Sequence, residues 1–520
     1  MSPRFIKQSL LAATIITVGT NILGRGLGYA REAVVAGYFG TSSIFDTFLL
    51  AFTIPELITF VAFAALPPAF MPLKRSCCGD NEEQGKRLFI AGLITFATIF
   101  GIIAVVIYVL KAPIINLFAP RMSGDDYALA LRLMSILAWF VFFRGMEAYF
   151  RAVLFDKKHF VVPAFSPMVA NLLVLAFILF GYDTLNIDAL AYGWLAASVA
   201  LFIINGSFAF YLVNPRVFLG IDIPIVGKLI KAVLAVAVVE CIALSFPVVD
   251  RYLAAAYLGE GQIAALRYAT FLIHLPTGIF VVSLAMASFP WITDLAVPGY
   301  VEKLQKLYSD NVRLVVFTMG FVAVGVSIFA GDLVRVAFQR GAFDTQSLAL
   351  TTGPLIFFAL GVVFYSIYMI QMRFYYAHSA RVRLGVILTG MLAVKIVLSL
   401  ILMGPMEHNG LALATSLAWM GGCLIMTLDL RKTLGVSLKN LSFSIVLKIV
   451  FSLLLTALLW IALSRLWPDD HAGSLLMSFV RVVLLGVAGM ILYVGLAATF
   501  KLPELQQVVS LIRSKLTSEK

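Results

Sequence analysis

Apolar runs of roughly twenty residues recur along the whole chain, and short polar stretches between them mark where each element ends. Segments near 9–37, 44–73, 88–110, 129–153, 161–181, 187–213, 225–249, 262–292, 312–330, 350–376, 383–403, 409–430, 443–464 and 474–500 are each long enough, as helices, to cross a bilayer. The pattern predicts an all-α polytopic membrane protein with fourteen transmembrane helices.

The pattern also repeats. FAPRMSGDDYALAL (118–131) leads into a span ending in YFRAVLF, then a short basic loop and a further span. FQRGAFDTQSLAL (338–350) leads into a span ending in QMRFYYA, again followed by a basic loop and a span. The offset is about 220 residues, and Arg151 and Arg373 hold matching places. AFTIPELITFVAFAALPPAFMP (51–72) parallels ATFLIHLPTGIFVVSLAMASFP (269–290) more loosely. Six spans repeated in the same orientation predict two lobes in a pseudo-twofold arrangement about the membrane normal. They would be an N-lobe, 1–219, and a C-lobe, 220–435, followed by two extra helices in 436–500 and a tail, 501–520. Paired lobes with a cleft between them suit a transporter that alternates access.

Composition agrees with the pattern. The chain is 61% hydrophobic and 13% charged, with mean hydropathy +0.99, whereas soluble domains keep about a quarter of their residues charged. The formal charge of +12 is explained by topology rather than by nucleic acid. With the N-terminus inside, the inner segments hold Arg4, Lys7, Lys74, Arg75, Lys86, Arg87, Lys157 and Lys158. They continue with Arg216, Lys228, Lys231, Lys303, Lys306, Arg381, Arg383, Arg431, Lys432 and Lys439, and the tail adds Lys501, Arg513, Lys515 and Lys520. The outer segments hold only Lys111, Arg121, Arg251, Arg335, Arg340 and Arg465. That asymmetry places both termini in the cytoplasm. Arg4 and Lys7 before an apolar run imitate a signal peptide, but no clean small-x-small site follows and the first span is expected to be retained. Of four cysteines, Cys77 and Cys78 share an inner loop, where thiols stay reduced. Five scattered histidines offer no metal-ligand spacing, so neither metal nor cofactor is expected.

Charges inside spans carry the candidate chemistry, because a charged side chain at bilayer depth normally faces a partner or a wet cavity. GRGLGYARE (24–32) puts Arg25, Arg31 and Glu32 among three glycines. Arg31 could pair with Glu32 or Asp46; alternatively, a glycine-loosened helix presents guanidiniums, whose forked donors suit phosphate oxygens, to an anionic substrate. Glu56 has no evident counter-charge nearby in sequence. Arg144, Glu147 and Arg151 lie on one helical stripe and are expected to satisfy one another. His274 is expected to pack or to line a cavity.

R-G-L-G-Y-A-R-E, A-G-Y-F-G, F-D-T-F-L-L-A-F-T-I-P-E-L and A-F-M-P follow in order from Arg25 to Pro72, and Q-R-G-A-F-D spans Gln339 to Asp344. On these motifs the chain resembles the MviN/MurJ family, the lipid II flippases of the multidrug/oligosaccharidyl-lipid/polysaccharide exporter superfamily. The resemblance implies a V-shaped pair of lobes around a basic cavity for the pyrophosphate-linked sugar of an undecaprenyl carrier. It assigns Arg25, Arg31 and Asp46 to that cavity; Glu56 is a cavity candidate only through its own charge inside a span. It further implies a multi-pass protein of the bacterial cytoplasmic membrane, with a polyprenyl-linked glycolipid as substrate, the bilayer as its medium and envelope-synthesis proteins as candidate partners.

Two departures qualify the likeness. Where family members carry a basic pair and then E-G, this chain has Thr59-Phe60 and Ala62 to Ala65; where they carry D-R, it has Thr270-Phe271. Arg267, one turn earlier, is the candidate substitute. Some members bind sodium between the seventh and eleventh spans, where this chain has Glu240 and Lys395; the Lys395 ammonium would then stand in the place of the ion. The alternatives are a flippase for another envelope or exopolysaccharide lipid, an ion-coupled drug antiporter, a membrane enzyme using Asp125-Asp126 or Asp469-Asp470, and a scaffold that transports nothing.

Overall fold

A computed structural model describes residues 10–79, 81–215, 223–297, 299–378, 380–435, 443–467 and 475–506. Arg4, Lys7, Arg216, Lys439, Asp469, Asp470, Arg513, Lys515 and Lys520 lie outside the described residues. By packing, the chain divides into two compact units, 1–264 and 265–520.

In the first unit the order is α1 (Leu10–Phe39), α2 (Ser43–Cys78), α3 (Glu82–Val109), α4 (Lys111–Phe118) and α5 (Gly124–Asp156). It continues with α6 (Val161–Leu185), α7 (Asp188–Val213), α8 (Ile223–Leu244) and α9 (Phe246–Tyr257). Gly40 ends α1 at φ +53, its N–H reaching Ala36 O at 2.8 Å, and Ser42 caps α2 by accepting from Phe45 N. The A-G-Y-F-G motif is thus the last turn of α1 and the glycine that ends it. α2 stays helical through Pro55, Pro67, Pro68 and Pro72, as membrane helices can when neighbours re-satisfy the freed carbonyls. It packs on α5 and α8, while α1 packs on α6. Buried Tyr149 of α5 donates to Phe89 O at 2.7 Å, tying α5 to α3.

The second unit runs α10 (Gln262–Pro276), a π turn (Thr277–Val281), α11 (Val282–Leu295), α12 (Val301–Ile328) and α13 (Ala330–Phe338). It ends with α14 (Thr345–Ala377), α15 (Arg381–Leu434), α16 (Phe443–Leu466) and α17 (Leu475–Thr499). The start of α10, through Ala264, counts with the first unit. Pro276 lacks an N–H, and the π turn follows it directly, so the eighth span is continuous but offset. Phe317 of α12, Ile449 of α16 and Tyr493 of α17 form one core cluster, with Tyr493 Oη donating to Phe317 O at 2.9 Å. Trp460 of α16 and Leu485 of α17 form another with Phe329. The two C-terminal helices therefore dock on α12.

Eleven helices among the described residues are long and apolar enough to cross a membrane, or twelve if α8 and α9, bent by 46°, are one span. The 53-residue candidate Arg381–Thr433 holds a non-helical Glu407 (φ 50°) and is two spans run together, as the gap between 403 and 409 predicts. With that division, the bent α8–α9 pair and the 30-residue α1, which is not among the eleven, the count is consistent with the fourteen expected spans. α4 and α13 were not expected. They follow the third and ninth spans at an offset of about 220 residues, so the short helices obey the repeat as well.

Candidate functional site

α1 runs without a break from Leu10 to Phe39, through the glycines of GRGLGYARE. Gly24 and Gly28, one turn apart, face α6. A Cβ on Gly28 would lie 3.4 Å from Asn171 Nδ2, and one on Gly24 3.5 Å from Pro167 Cβ. Asn171 Nδ2 donates to Gly24 O at 3.1 Å. This is the small-x-x-x-small contact by which membrane helices approach closely, so Gly24 and Gly28 serve helix packing. Gly26 meets nothing within 4 Å.

The same contact decides what Arg31 does. Its Nη1 donates to Asn171 Oδ1 at 2.8 Å, its Nη2 to Glu32 Oε1 at 3.3 Å, and its guanidinium carbon lies 4.8 Å from the Trp194 ring centre. Of the two partners weighed, Glu32 is the one engaged. Asp46 instead accepts backbone N–H groups from Gly261 at 2.6 Å and Ala264 at 2.7 Å, satisfying donors at the start of α10 that no helical carbonyl can reach. Arg25 differs from all of these. It is partly buried, and it makes no hydrogen bond or ion pair with any described residue.

Glu56 does have a counter-charge, contrary to the reading from its sequence neighbours. Arg251 Nη2 donates to Glu56 Oε2 at 2.8 Å, and Arg251 Nη1 reaches Thr53 Oγ1 at 3.2 Å. Both residues are buried. Sequence reasoning put Arg251 in an outer loop, because α9 is too short to register as part of a span. Arg144 and Glu147 pair as expected, and Arg144 and Arg151 stand over the Phe63 ring at 4.4 and 5.7 Å.

In the second unit, Arg267 is partly buried on α10, and His274 stacks on Tyr365 with ring centres 5.2 Å apart. Lys395 is fully buried on α15, while Glu240, in the first unit, is partly buried on α8. The Q-R-G-A-F-D motif proves to be a turn. Arg340 Nη2 donates to Val336 O and Ala337 O at 2.9 and 2.8 Å, closing α13; Gly341 takes φ +57; and Phe343 packs on Tyr268. Asp344 caps α14 by accepting from Ser347 N at 2.8 Å, and that bond, with others from the same turn, holds its carboxyl below the ordinary range.

Asn171 carries no charge, so the pattern of intramembrane charges does not mark it. A lone amide at mid-span, opposite a G-x-x-x-G face, is the signal that could have found it.

Known proteins resemble the chain in both sequence and fold. The sequence model of the family described as lipid II flippase MurJ matches residues 35–483. A probable lipid II flippase MurJ of Rhizobium tropici is 25% identical over 506 residues, covering 94% of this chain and 93% of that protein. A solved structure of lipid II flippase MurJ in an inward closed conformation matches at a TM-score of 0.78 and 22% identity, covering 92% of this chain and 98% of that one. An inward-facing multidrug resistance MATE transporter of the MOP superfamily matches at 0.69 and 14%, covering 82% and 99%; these two likenesses concern the fold. Since the family match spans most of the sequence, the chain belongs to the MurJ lipid II flippase family.

Proposed function

We propose that this chain carries lipid II, a polyprenyl-pyrophosphate-linked sugar precursor of peptidoglycan, across the bacterial cytoplasmic membrane by alternating access, with both termini in the cytoplasm. Family membership supports the activity; the observation that carries it to a residue is Arg25. Arg31, Glu56 and Arg144 have protein partners, whereas the Arg25 guanidinium, within the first span, makes no hydrogen bond or ion pair with a described residue. Such a group is expensive unless a wet cavity or an anionic ligand faces it, and its paired donors match a pyrophosphate. Arg267 is its proposed counterpart in the second unit. Arg31, Asp46 and Glu56 support the walls rather than touch cargo.

In the same reading, the buried Lys395 ammonium replaces a coupling cation, and transport needs no sodium. Envelope-synthesis proteins are the partners this role would bring. The missing D-R at Thr270-Phe271 favours a second reading in which the cargo is another lipid-linked envelope or exopolysaccharide unit.

The test is complementation of bacteria depleted of their own lipid II flippase. Wild type should rescue growth, Arg25→Ala at equal abundance should not, and Arg25→Lys should rescue in part. If wild type inserts well and still fails, lipid II is not the cargo.

A further inference from the structure

A cavity of about 550 Å³ opens where the ends of α2, α5 and α7 meet the start of α3, all within the first unit. Its charged lining is Lys74, Lys86 and Lys157 against Glu82 and Asp156, which leaves a net positive charge. Two loops about seventy residues apart in sequence, both counted as basic inner segments, are brought together there. Lys74 is already neutralised by an ion pair with Asp156. Lys86 and Lys157 make no ion pair with a described residue.

The donor count points the same way. Asn81 spends its carbonyl oxygen capping α3, accepting from Glu83 N at 3.0 Å and Gln84 N at 3.2 Å. Its amide NH2 therefore remains as a donor. Asn214, left-handed at the end of α7 (φ 45°), brings a second amide, whose side chain makes no hydrogen bond with a described residue. Two ammoniums and two amides thus line the cavity with one carboxylate, Glu82, that makes no ion pair with a described residue. Below them Phe70, Phe89 and Val153 form an apolar floor.

We propose that this cavity binds one phosphate-bearing anion, held by Lys86 and Lys157 with Asn81 and Asn214 beside them. The chemistry is shared by an anionic phospholipid headgroup and by free phosphate. The apolar floor would receive the glycerol and first methylenes of a lipid. The site is independent of the cargo reading, since none of its residues is assigned to cargo.

Lysine acylation footprinting of the full-length protein tests it. The protein is placed in phosphatidylcholine nanodiscs, in the same discs with inorganic phosphate, and in discs where phosphatidylglycerol replaces part of the phosphatidylcholine. Lys303 and Lys432, exposed in the second unit, report the general surface potential. Acylation of Lys86 and Lys157 should slow about fivefold beyond any change at these controls. Slowing with phosphatidylglycerol alone identifies a lipid, and slowing with phosphate in neutral discs identifies a soluble ligand. Asn214→Ala, which leaves both lysines in place, should weaken the protection, and Glu82→Gln should strengthen it. No slowing in either arm, or equal slowing at Lys303 and Lys432, overturns the proposal.

Discussion

Glu56 and Arg251 bury opposite charges on α2 and α9, 2.8 Å apart. Removing one partner leaves the other charge buried without this ion pair, at a cost of up to roughly 3–5 kcal/mol, whereas replacing both with apolar side chains is often near neutral. Glu56→Leu and Arg251→Met should each lower the thermal midpoint of the purified protein, and the double variant should recover most of the loss. An additive double variant would show that the pair is not coupled. Asp344 gives a milder case. Its carboxylate is exposed, so Asp344→Ala should cost about 0.5–2 kcal/mol through the lost cap alone. Because hydrogen bonds depress its folded pKa, the contribution is present above the unfolded carboxylate pKa and fades as pH falls through the lower folded one; Asp344→Asn should flatten that acid limb. At this scale the sequence was legible where partners sit on one helix, as with Arg144 and Glu147. It was silent on Arg251, because a partner 195 residues away leaves no local pattern.

Among the elements, α1 separates two uses of glycine. If Gly26 were needed for flexibility, Gly26→Ala would stiffen the helix and slow transport. Since a Cβ there meets open space, Gly26→Ala should leave transport intact and stabilise the helix by up to about 1 kcal/mol. Gly28→Leu should push α6 away, break the Asn171–Arg31 bond and cost roughly 1–3 kcal/mol. The measurement is thermal stability with complementation for both variants; loss of transport in a stable Gly26→Ala protein would restore the flexibility reading. Hydropathy found the long helices and the break near Glu407, since apolar length is what membrane insertion reads. It missed α4, α9 and α13, whose 8, 12 and 9 residues fall below the window. Only the repeat could have exposed two of them.

For the whole molecule, repeat and packing divide the chain at different points. The repeat sets a boundary at 219/220, while packing sets it after Ala264, because α8 and α9 lie against α2. A repeat records which segments correspond, and contacts record which segments share a core. Neither fixes the orientation in the membrane, which rests on the excess of lysine and arginine in alternate loops. That orientation makes a sharp prediction. The last turn of α2 carries Cys77, partly buried, and the turn before α5 carries Ser123, one span further on. A variant whose only cysteine is Cys77 should react with an impermeant maleimide in inverted vesicles and resist it in spheroplasts. A variant whose only cysteine comes from Ser123→Cys should do the reverse. If both labels appear on the opposite sides, the basic loops face outward and the proposed headgroup cavity lies at the outer leaflet. If both appear on one side, the third span does not cross, and the fourteen-span topology fails at its third helix.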